Sequence, residues 1–472
     1  MEDNLNASRS AELDLRSKRC DLPWKKRKRR RITWASTLLG GRTVLSKEDN
    51  ERICRVGPNT PMGNVFRRFW LPVCTSAQLP EADCDPLRVR LVGENLVAFR
   101  DSTGAVGLVQ ENCPHRGASL ALGRVEDNGI RCLYHGWKFG RDGTLQDAPN
   151  CSMRAIKSTV RARAYPVREE GGLVWAYLGP KEKQPPFTRY AFMDAPEPNR
   201  TVIRINVNAN YLQLVEGGFD SSHVGILHSN IARPGWMNAT FTPNPDKDNP
   251  AVLAVEDNDP ELELSETDFG FYYAAFRTDR RSGDAQLNVR VVPFIMPSTR
   301  IIPAPTTLYT VFETPADDEH TSTFIVIHGK APVDRAKNIA LLGLDDPKVY
   351  SERDCMYRAT WDDRFGQDRQ RLQESWSGLN GIEQEDAAMS LSMGPIIDRS
   401  QEHLVPADRA VVALRKMLLR SAKNVEQGGD PVAMPGDVTD VGAPDTFIAS
   451  SARTTWQELS PGHWKNAESA NA

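Results

Sequence analysis

Between Gly63 and about Pro180, short runs of apolar residues are separated by glycine, proline and small polar residues. Residues 88–92 alternate between polar and apolar side chains, and residues 173–178 form one apolar run with the length of a buried strand. The sequence Asp-Ser-Thr-Gly at 101–104 is typical of a tight turn. This pattern predicts a small all-β unit.

From Arg200 onward the pattern becomes a mixture of strands and helices, which is typical of an α+β domain. Strands are predicted at Thr201–Asn206, Phe269–Arg277, Gln286–Pro293, Thr307–Thr314 and Thr321–His328. Helices are predicted at about Tyr211–His228, Arg335–Leu342, Ser351–Asp363, Ile382–Ser392 and Ala407–Ala422. A short helix is also predicted to begin after Ser46, whose hydroxyl suits a helix cap, and to end at Cys54. Glycine, proline and aspartate after Gly428 predict a surface loop and a mobile tail.

Residues 1–45 differ from the rest of the chain, because they carry 12 basic and 5 acidic residues and include the basic run 25–31. A block of like charge repels itself and stays solvated, so a disordered extension, or a start assigned too early, is the favoured interpretation. Three alternatives stay open: a nuclear-type or nucleic-acid-binding patch, a twin-arginine export signal and a tether to a membrane surface.

Composition excludes several classes of protein. The net charge over 472 residues is −3, which argues against a chain built to neutralise nucleic acid. No apolar run approaches the roughly 18 residues that a membrane span needs. Eight cysteines in so long a chain are too few for a disulfide scaffold. We therefore expect a globular protein of about three domains.

Residues 113–140 contain a first set of metal-binding side chains. Cys113 and His115 are spaced Cys-x-His, and Cys132 and His135 are spaced Cys-x-x-His, so each segment offers one thiolate and one imidazole. Zinc fingers usually pair two cysteines in one half and two histidines in the other. One thiolate and one imidazole from each of two loops suit a 2Fe–2S cluster, in which two thiolates hold one iron and two histidines hold the other.

Residues 210–228 contain a second set. His223 and His228 are five apart, so a break near Gly225 is needed to bring both rings onto one metal. Two histidines and one carboxylate with open coordination positions are the arrangement of non-haem Fe(II) oxygenases. The spacing leaves two possibilities for the carboxylate, Asp220 or a residue far away in the sequence. A solvated polar face with structural histidines is the alternative for this segment alone.

The two sets together resemble the Rieske non-haem iron oxygenases. The sequences Cys-Pro-His-Arg-Gly and Cys-Leu-Tyr-His-Gly-Trp match the family's cluster loops, and Asp-x-x-His-x4-His matches its catalytic segment. The resemblance runs from about Ser46 to Leu419 and is to the phthalate dioxygenase-like branch. It implies an α+β protein, with an all-β Rieske domain before a helix-grip catalytic domain (like Bet v 1 and START domains) that has an antiparallel sheet. The expected segments are a basic, disordered extension at 1–45, a Rieske 2Fe–2S domain with an N-terminal helix at 46–185, a mononuclear iron domain at 186–425, and a C-terminal loop and tail at 426–472.

The resemblance also implies roles for the second set. His223 and His228 would bind the iron, whereas Asp220 would bridge the cluster of one subunit to the iron of its neighbour. The third iron ligand would be an aspartate on a late helix, and the matching residue is Asp386. Glu385 and Glu383 are its nearest rivals, because relatives usually have Gln-Asp where this chain has Glu-Asp.

His403, in a Glu-His-Leu sequence, could also bind the iron, because histidine is a common metal ligand. We expect it to support the ligands or the fold rather than to bind metal.

A member of this family is an oxygenase component that receives electrons from a flavin and iron–sulfur reductase, directly or through a ferredoxin. The resemblance implies one 2Fe–2S cluster and one mononuclear Fe(II) per subunit, O2 and a small aromatic molecule as substrates, and a homotrimer or a hexamer of stacked trimers. No nucleic-acid or membrane partner is expected. Metal binding by thiolates, without a convincing export signal, favours the cytoplasm.

The phthalate dioxygenase-like branch implies an aromatic carboxylate as substrate. Arg277 and Arg290, on predicted strands, are candidates to bind that carboxylate, and a purely structural role is the alternative. Dihydroxylation, monohydroxylation and O-demethylation share the same iron, so the sequence leaves the reaction open.

Two other functions predict different metal contents. A Rieske electron carrier with a non-catalytic ligand-binding domain would have no mononuclear iron, and a zinc-stabilised binding protein would have neither iron centre.

Overall fold

The computed structural model describes residues 30–31, 44–153, 155–229, 253, 257–278, 286–373 and 375–459. The predicted N-terminal extension therefore lies almost entirely outside the described residues. Within it, a two-residue strand β1 (Arg30–Arg31) pairs with the edge of the main sheet. Among the described residues, no helix combines the length and apolar character that crossing a membrane requires.

The first folded unit begins with two short helices, α1 (Lys47–Cys54) and α2 (Pro61–Phe66). The Ser46 hydroxyl accepts the N–H of Asp49 at 3.0 Å, so the predicted cap and helix are both confirmed. A proline at the first helical position of α2 has no N–H to leave unpaired.

Short antiparallel strands form the rest of this unit, as predicted. They are β2 (Trp70–Thr75), β3 (Leu87–Leu91), β4 (Glu94–Arg100), β5 (Val106–Gln110), β6 (Arg124–Glu126), β7 (Gly129–Arg131), β8 (Lys138–Phe139), β9 (Leu145–Asp147), β10 (Ala164–Tyr165), β11 (Val167–Glu170) and β12 (Leu173–Tyr177). Three sheets result, in the orders β10-β5-β4-β3, β11-β12-β2 and β6-β7-β8-β9. One turn of helix, α3 (Ile156–Thr159), packs beside β9.

The second unit is built on an 11-stranded sheet that includes β1. Its other strands are β14 (Arg200–Val207), β15 (Glu261–Glu266), β16 (Gly270–Thr278), β17 (Gln286–Ile295), β18 (Thr299–Pro303), β19 (Thr307–Pro315), β20 (Thr321–Gly329), β21 (Tyr350–Ser351), β22 (Met356–Tyr357) and β24 (Asp445–Ala449). All pairings are antiparallel except that of β14 with β22. A separate parallel pair joins β13 (Arg189–Tyr190) to β23 (Asp437–Val438).

Five helices accompany this sheet. They are α4 (Tyr211–Gly217), α5 (His223–Ile226), α6 (Arg335–Leu341), α7 (Ile382–Ser392) and α8 (Arg409–Glu426) among the described residues. Shorter 3₁₀ helices occur at Ser76–Gln78, Leu120–Leu122, Lys181–Lys183, Ala191–Met193, Glu197–Asn199, Trp361–Gly366, Gln370–Gln373, Arg399–Gln401, Pro406–Asp408 and Ser450–Leu459.

Both faces of the main sheet are covered. Alternate residues of β16 enter two different cores: Phe271, Tyr273 and Ala275 pack in the core that contains α8, and Tyr272, Ala274 and Phe276 pack in the core that contains Trp456. A strand buried on both faces loses the alternation of polar and apolar residues, which is why these strands read as continuous apolar runs. The strand predictions in this domain and its α+β, antiparallel architecture are confirmed.

The two units are in direct contact. The tight turn between β3 and β4 donates the N–H groups of Val92 and Gly93 to the carbonyl oxygens of Pro315 and Ala316, at 2.9 and 2.8 Å. Helices α1 and α2 also pack against α8, which belongs to the C-terminal part of the chain. The domain boundaries at 46–185 and 186–425 stay predictions, since the chain folds back across both units.

Three predictions of secondary structure were wrong. The expected helix at Ser351–Asp363 is replaced by β21, β22 and the start of a 3₁₀ helix, because Tyr350 and Tyr357 pair across a tight hairpin and bury their rings. The expected tail contains β24, which pairs with β17, and the buried Trp456. The third concerns Tyr211–His228 and is described with the site below.

Two candidate metal centres

The two loops that carry the predicted cluster residues have the same conformation. In the first loop, the N–H of Gly117 donates to the carbonyl of Cys113, and the N–H of Cys113 donates to the carbonyl of Ala118, both at 2.8 Å. In the second loop, Gly136 and Cys132 make the equivalent bonds at 3.0 and 2.8 Å.

Each loop places its glycine in the left-handed region, with φ of +77° at Gly117 and +72° at Gly136. Glycine adopts this conformation without steric cost, which explains the glycine after each ligand-type histidine.

The structure brings the four predicted side chains together as two thiols and two imidazoles. Cys113 and Cys132 are both buried, and burial together with the neighbouring Cys132 raises the pKa of the Cys113 thiol to about 11. The rings of His115 and His135 lie 4.5 Å apart, and His115 also stacks on Trp137 at 4.4 Å.

One nitrogen in this group has no partner of its own. Nδ1 of His135 is buried and makes no hydrogen bond within the described part of the chain. A buried imidazole nitrogen without a partner is costly. Two thiols on one side and two imidazoles on the other are the donor set of a cluster with one sulfur-ligated and one nitrogen-ligated iron. The residues therefore fit the group that the sequence predicts.

Large apolar side chains are exposed in and next to the segments that carry these loops. Leu133 and Tyr134, which precede His135, have exposed fractions of 61% and 57%. Leu122 and Met153 are exposed by 73% and 67%. Exposed large apolar side chains are candidates for a contact surface. We refer to Leu122, Leu133, Tyr134 and Met153 as the cluster-side patch.

The segment that carries the two histidines is not the single helix that we predicted. Helix α4 ends at Gly217, and α5 runs only from His223 to Ile226, so the segment is broken twice. The second break follows Ile226 and lies between the two histidines, close to the Gly225 position expected from the sequence, whereas the first break, at residues 218–222, was not expected. A Cβ atom on Gly218 would lie 2.1 Å from Cδ of Arg300, so only glycine fits against this buried arginine. In the turn, the N–H of Ser222 donates to Oδ1 of Asp220 at 2.7 Å.

The two breaks together bring both histidines to Asp386 on α7. One ligand-type atom from each of His223, His228 and Asp386 lies within 4.8 Å of the other two. Oδ1 of Asp386 is 3.2 Å from Nε2 of His228 and 3.7 Å from Nε2 of His223. Asp220, the other candidate carboxylate of the sequence analysis, faces the second ring nitrogen of His223, with its Oδ2 3.6 Å from Nδ1.

The electrostatics of the site favour a positive charge on His228 and a negative charge on Asp386. Burial alone would lower the pKa of His228, but Asp386 and Glu385 outweigh it and raise this pKa to about 10. Burial would raise the pKa of Asp386, and the two imidazoles hold it below its ordinary value instead. Two histidines and one carboxylate leave coordination positions open for other ligands, so this donor set fits a non-haem iron.

The rival ligands lie elsewhere. Glu385 turns away from the triad and hydrogen bonds to Nδ1 of His228 at 2.7 Å. Glu383 is buried, and burial together with Asp386 raises the pKa of its carboxyl to about 8. His403 is exposed. The contact of Glu385 with His228 was missed from the sequence, where its only signal was the glutamate next to Asp386.

The two candidate substrate arginines have partners within the chain. Arg277 is buried and donates to the carbonyl of Asp257 and to the carbonyl and hydroxyl oxygens of Ser221, each at 3.0 Å. Since Ser221 follows Asp220, Arg277 fixes the turn between the two halves of the site. Arg290 pairs with Asp445 at 2.7 Å. Their predicted role in binding substrate stays a prediction.

Comparison with known proteins agrees with both candidate centres. Residues 69–163 match the family model for the Rieske [2Fe-2S] domain, and residues 176–458 match the model described as LigXa C-terminal domain like. The oxygenase subunit of phthalate 4,5-dioxygenase from Pseudomonas putida is 36% identical over 393 residues, 82% of this chain and 88% of that protein. The oxygenase subunit of 3-chlorobenzoate-3,4-dioxygenase from Comamonas testosteroni is 35% identical over 401 residues, 81% of this chain and 90% of that protein.

A solved structure shares the fold. NdmA from Pseudomonas putida CBB5, determined with caffeine, superimposes with a TM-score of 0.54 at 20% sequence identity, over 78% of this chain and 94% of that chain. At this identity the similarity extends to the arrangement of the two units and no further.

Proposed function

Because the chain belongs to the Rieske non-haem iron oxygenases, as an oxygenase component of the phthalate dioxygenase-like branch, we propose that it hydroxylates an aromatic carboxylate with O2 and electrons from a reductase. Members carry one 2Fe–2S cluster and one mononuclear iron in each subunit. The observation that carries the proposal is the meeting of Asp386 with His223 and His228, since an electron carrier without catalysis has no use for this triad.

We propose that Cys113, Cys132, His115 and His135 hold the cluster, and that His223, His228 and Asp386 hold the iron. When bound, the iron supplies open positions at which O2 is activated beside the substrate. The protein contributes the geometry of the donors and the exclusion of bulk water. The thiols of Cys113 and Cys132 and the ring of His228 are buried, so the side chains packed around each of them hold it in one position.

The substrate class follows from the relatives by analogy. The two relatives described above are named for phthalate and 3-chlorobenzoate, and both compounds are aromatic carboxylates. We therefore propose an aromatic carboxylate as substrate, with hydroxylation of the ring as the reaction.

The test is turnover with a flavin and iron–sulfur reductase across phthalates, halobenzoates and methoxybenzoates. Oxygen uptake and product mass are measured together for each compound. Addition of two hydroxyl groups to a phthalate or halobenzoate supports the proposal. Uptake only with methoxybenzoates, with release of formaldehyde, would make the reaction O-demethylation instead. Oxygen uptake without any organic product throughout the panel would contradict the substrate class.

A homo-oligomeric ring is proposed as the assembly. Asp220 and His223 are partly exposed, with side-chain exposed fractions of 31% and 21%. Beside them Ile226, Met389 and Met393 expose 44%, 39% and 50% of their surface, and we refer to these three as the iron-side patch. Met389 and Met393 share a helix face with Asp386, because they lie three and seven residues after it.

The iron-side patch and the cluster-side patch are both apolar, and they lie on different units of the chain. A contact between different patches of identical chains closes into a ring when its rotation is a whole fraction of a turn, and we propose a trimer as that ring. In such a ring Asp220 would lie between the iron residues of one copy and the cluster loops of the next. Sedimentation analysis tests the assembly: a trimer or a hexamer supports it, and an active monomer contradicts it.

A further inference from the structure

The two imidazoles of the triad are held in different ways. Nδ1 of His228 lies 2.7 Å from a carboxylate oxygen of Glu385. Nδ1 of His223 faces Asp220 at 3.6 Å, which is beyond hydrogen-bonding distance, and it has no hydrogen-bond partner in the described part of the chain. Of the two histidines, His228 is therefore the one whose ring is fixed by an ionisable partner.

Glu385 is itself fixed at both oxygens. It is buried, with an exposed fraction of 1% for its side chain, and its second oxygen accepts the Ser377 hydroxyl at 2.5 Å. The Ser377 oxygen accepts in turn the N–H of Leu379 at 3.1 Å. His228, Glu385 and Ser377 thus form a chain that ends on backbone just before α7, the helix that carries Asp386.

A hydrogen bond from Nδ1–H to a carboxylate decides which imidazole nitrogen stays free. With the proton on Nδ1, the lone pair is on Nε2, the nitrogen that faces Asp386. A buried carboxylate at this position also makes the imidazole a stronger electron donor. Both oxygens of Glu385 are engaged in this way, so the carboxylate does not compete with Asp386 for a metal.

We propose that Glu385 is a positioning residue that orients His228 for iron and sets the affinity of the iron site, and that Ser377 holds Glu385 in place. This inference rests on the iron site proposed above. It assigns unequal roles to the two histidines: the ring of His228 is fixed by a hydrogen bond to a buried carboxylate, while His223, next to the partly exposed Asp220, has no such hydrogen bond among the described residues.

The experiment measures Fe(II) binding to the mononuclear site of the full-length protein with its cluster intact, by competition with a chelator. Glu385→Met removes both the hydrogen bond and the charge, and we expect about 100-fold weaker binding. Glu385→Gln keeps an acceptor for Nδ1–H but loses the charge, and we expect about 10-fold weaker binding. Ser377→Ala leaves the carboxylate less constrained, and we expect about 3-fold weaker binding.

Glu383→Gln is the matched control. It changes another buried side chain of α7, two residues earlier, which makes no hydrogen bond to His228 among the described residues. We expect Fe(II) affinity in this variant to stay within about 3-fold of wild type. The visible spectrum of the cluster should be unchanged in all four variants, and the far-ultraviolet circular dichroism and thermal stability of each should show that the unit that carries α7 is folded. If Glu385→Met does not fold, the Glu385→Gln and Ser377→Ala variants carry the test.

The outcomes separate this inference from the proposed function. Wild-type affinity in the Glu385 variants overturns the positioning role and leaves the iron site standing. Equal losses in Glu385→Gln and Glu383→Gln also overturn it, because the effect would then come from changing any buried carboxyl of α7 and not from the hydrogen bond to His228. If wild-type protein binds no Fe(II), or His228→Ala binds it as tightly as wild type, the proposed iron site itself fails.

Discussion

The two candidate metal centres are built in opposite ways. The thiol–imidazole group comes from two neighbouring loops within residues 113–136, and each loop repeats the same backbone hydrogen bonds around its own glycine. The histidine–aspartate triad joins a broken helix to α7 from a distant part of the sequence. A local site depends on the conformation of its own loops, whereas a site assembled from distant elements depends on the packing that brings those elements together.

The largest expected effect is on iron content, which should distinguish the two centres in single-residue variants. Cys132→Ala should abolish the cluster and Asp386→Ala should abolish the mononuclear iron, each without removing the other. Wild-type protein should contain roughly three irons per chain, Asp386→Ala roughly two, and Cys132→Ala roughly one. Metal analysis and electron paramagnetic resonance of the reduced proteins measure this. If Asp386→Ala keeps all its iron, Asp386 is not a ligand.

A second prediction concerns communication between the centres. Asp220→Asn keeps the shape of the side chain but removes its charge beside His223. We expect the cluster to be reduced normally while product formation falls by about 100-fold or more, equivalent to roughly 2.7 kcal/mol. Stopped-flow reduction and single-turnover product analysis separate the two steps. Turnover near the wild-type rate would show that Asp220 does not link the cluster to the iron site.

A third prediction tests how far the triad depends on packing. Glu216, at the end of α4, pairs with the buried Arg399 at 2.9 Å and the buried Arg415 at 2.6 Å. Glu216→Gln leaves two buried guanidinium groups without their counter-charge, so unfolding should become easier by about 3 kcal/mol. Iron occupancy should fall and cluster content should not. The exposed pair of Glu51 and Arg55 is the control, and Glu51→Gln should cost less than about 1 kcal/mol.

The same residue makes a prediction about pH. Burial would raise the pKa of Glu216, but Arg399 and Arg415 outweigh it and hold this pKa below its ordinary value. A carboxyl whose pKa is lowered by folding stabilises the protein above its unfolded pKa of about 4.3, and that stabilisation is lost as pH falls through the folded value. Denaturant unfolding between pH 7 and pH 3 should therefore show a smaller loss for Glu216→Gln than for wild type.

The smallest effect is expected at the substrate. If Arg290 binds a carboxylate, Arg290→Met should raise KM for an aromatic acid by about 10-fold more than for its methyl ester. If Arg290 only forms the ion pair with Asp445, the ratio of KM for the acid to KM for the ester will not change in this variant, and the thermal stability of the protein will fall instead. Asp445→Asn is the control, since it disturbs the same ion pair from the other side. Equal KM effects on acid and ester would end the proposal for Arg290.

Sequence reasoning was most accurate where structure is local. The helix cap at Ser46, the strands of the main sheet and α7 all follow from patterns within a few residues, and the structure contains them with small shifts at their ends. A break in the histidine segment was expected near Gly225, and α5 does end at Ile226. The other break, at residues 218–222, was not expected, because it depends on Arg300, which comes from another strand. Local periodicity carries no information about such a contact.

The sequence by itself determined the two pairs of cluster-type residues, because thiol and imidazole at fixed spacing around a glycine specify both the donors and the loop that presents them. It also indicated the histidines of the triad. Only the tertiary structure decided that Glu385 faces Nδ1 of His228 while Asp386 faces Nε2. Neighbouring residues on a helix point in directions about 100° apart. The packing of α7 therefore decides which of the two carboxylates faces Nε2 of His228 and which faces Nδ1.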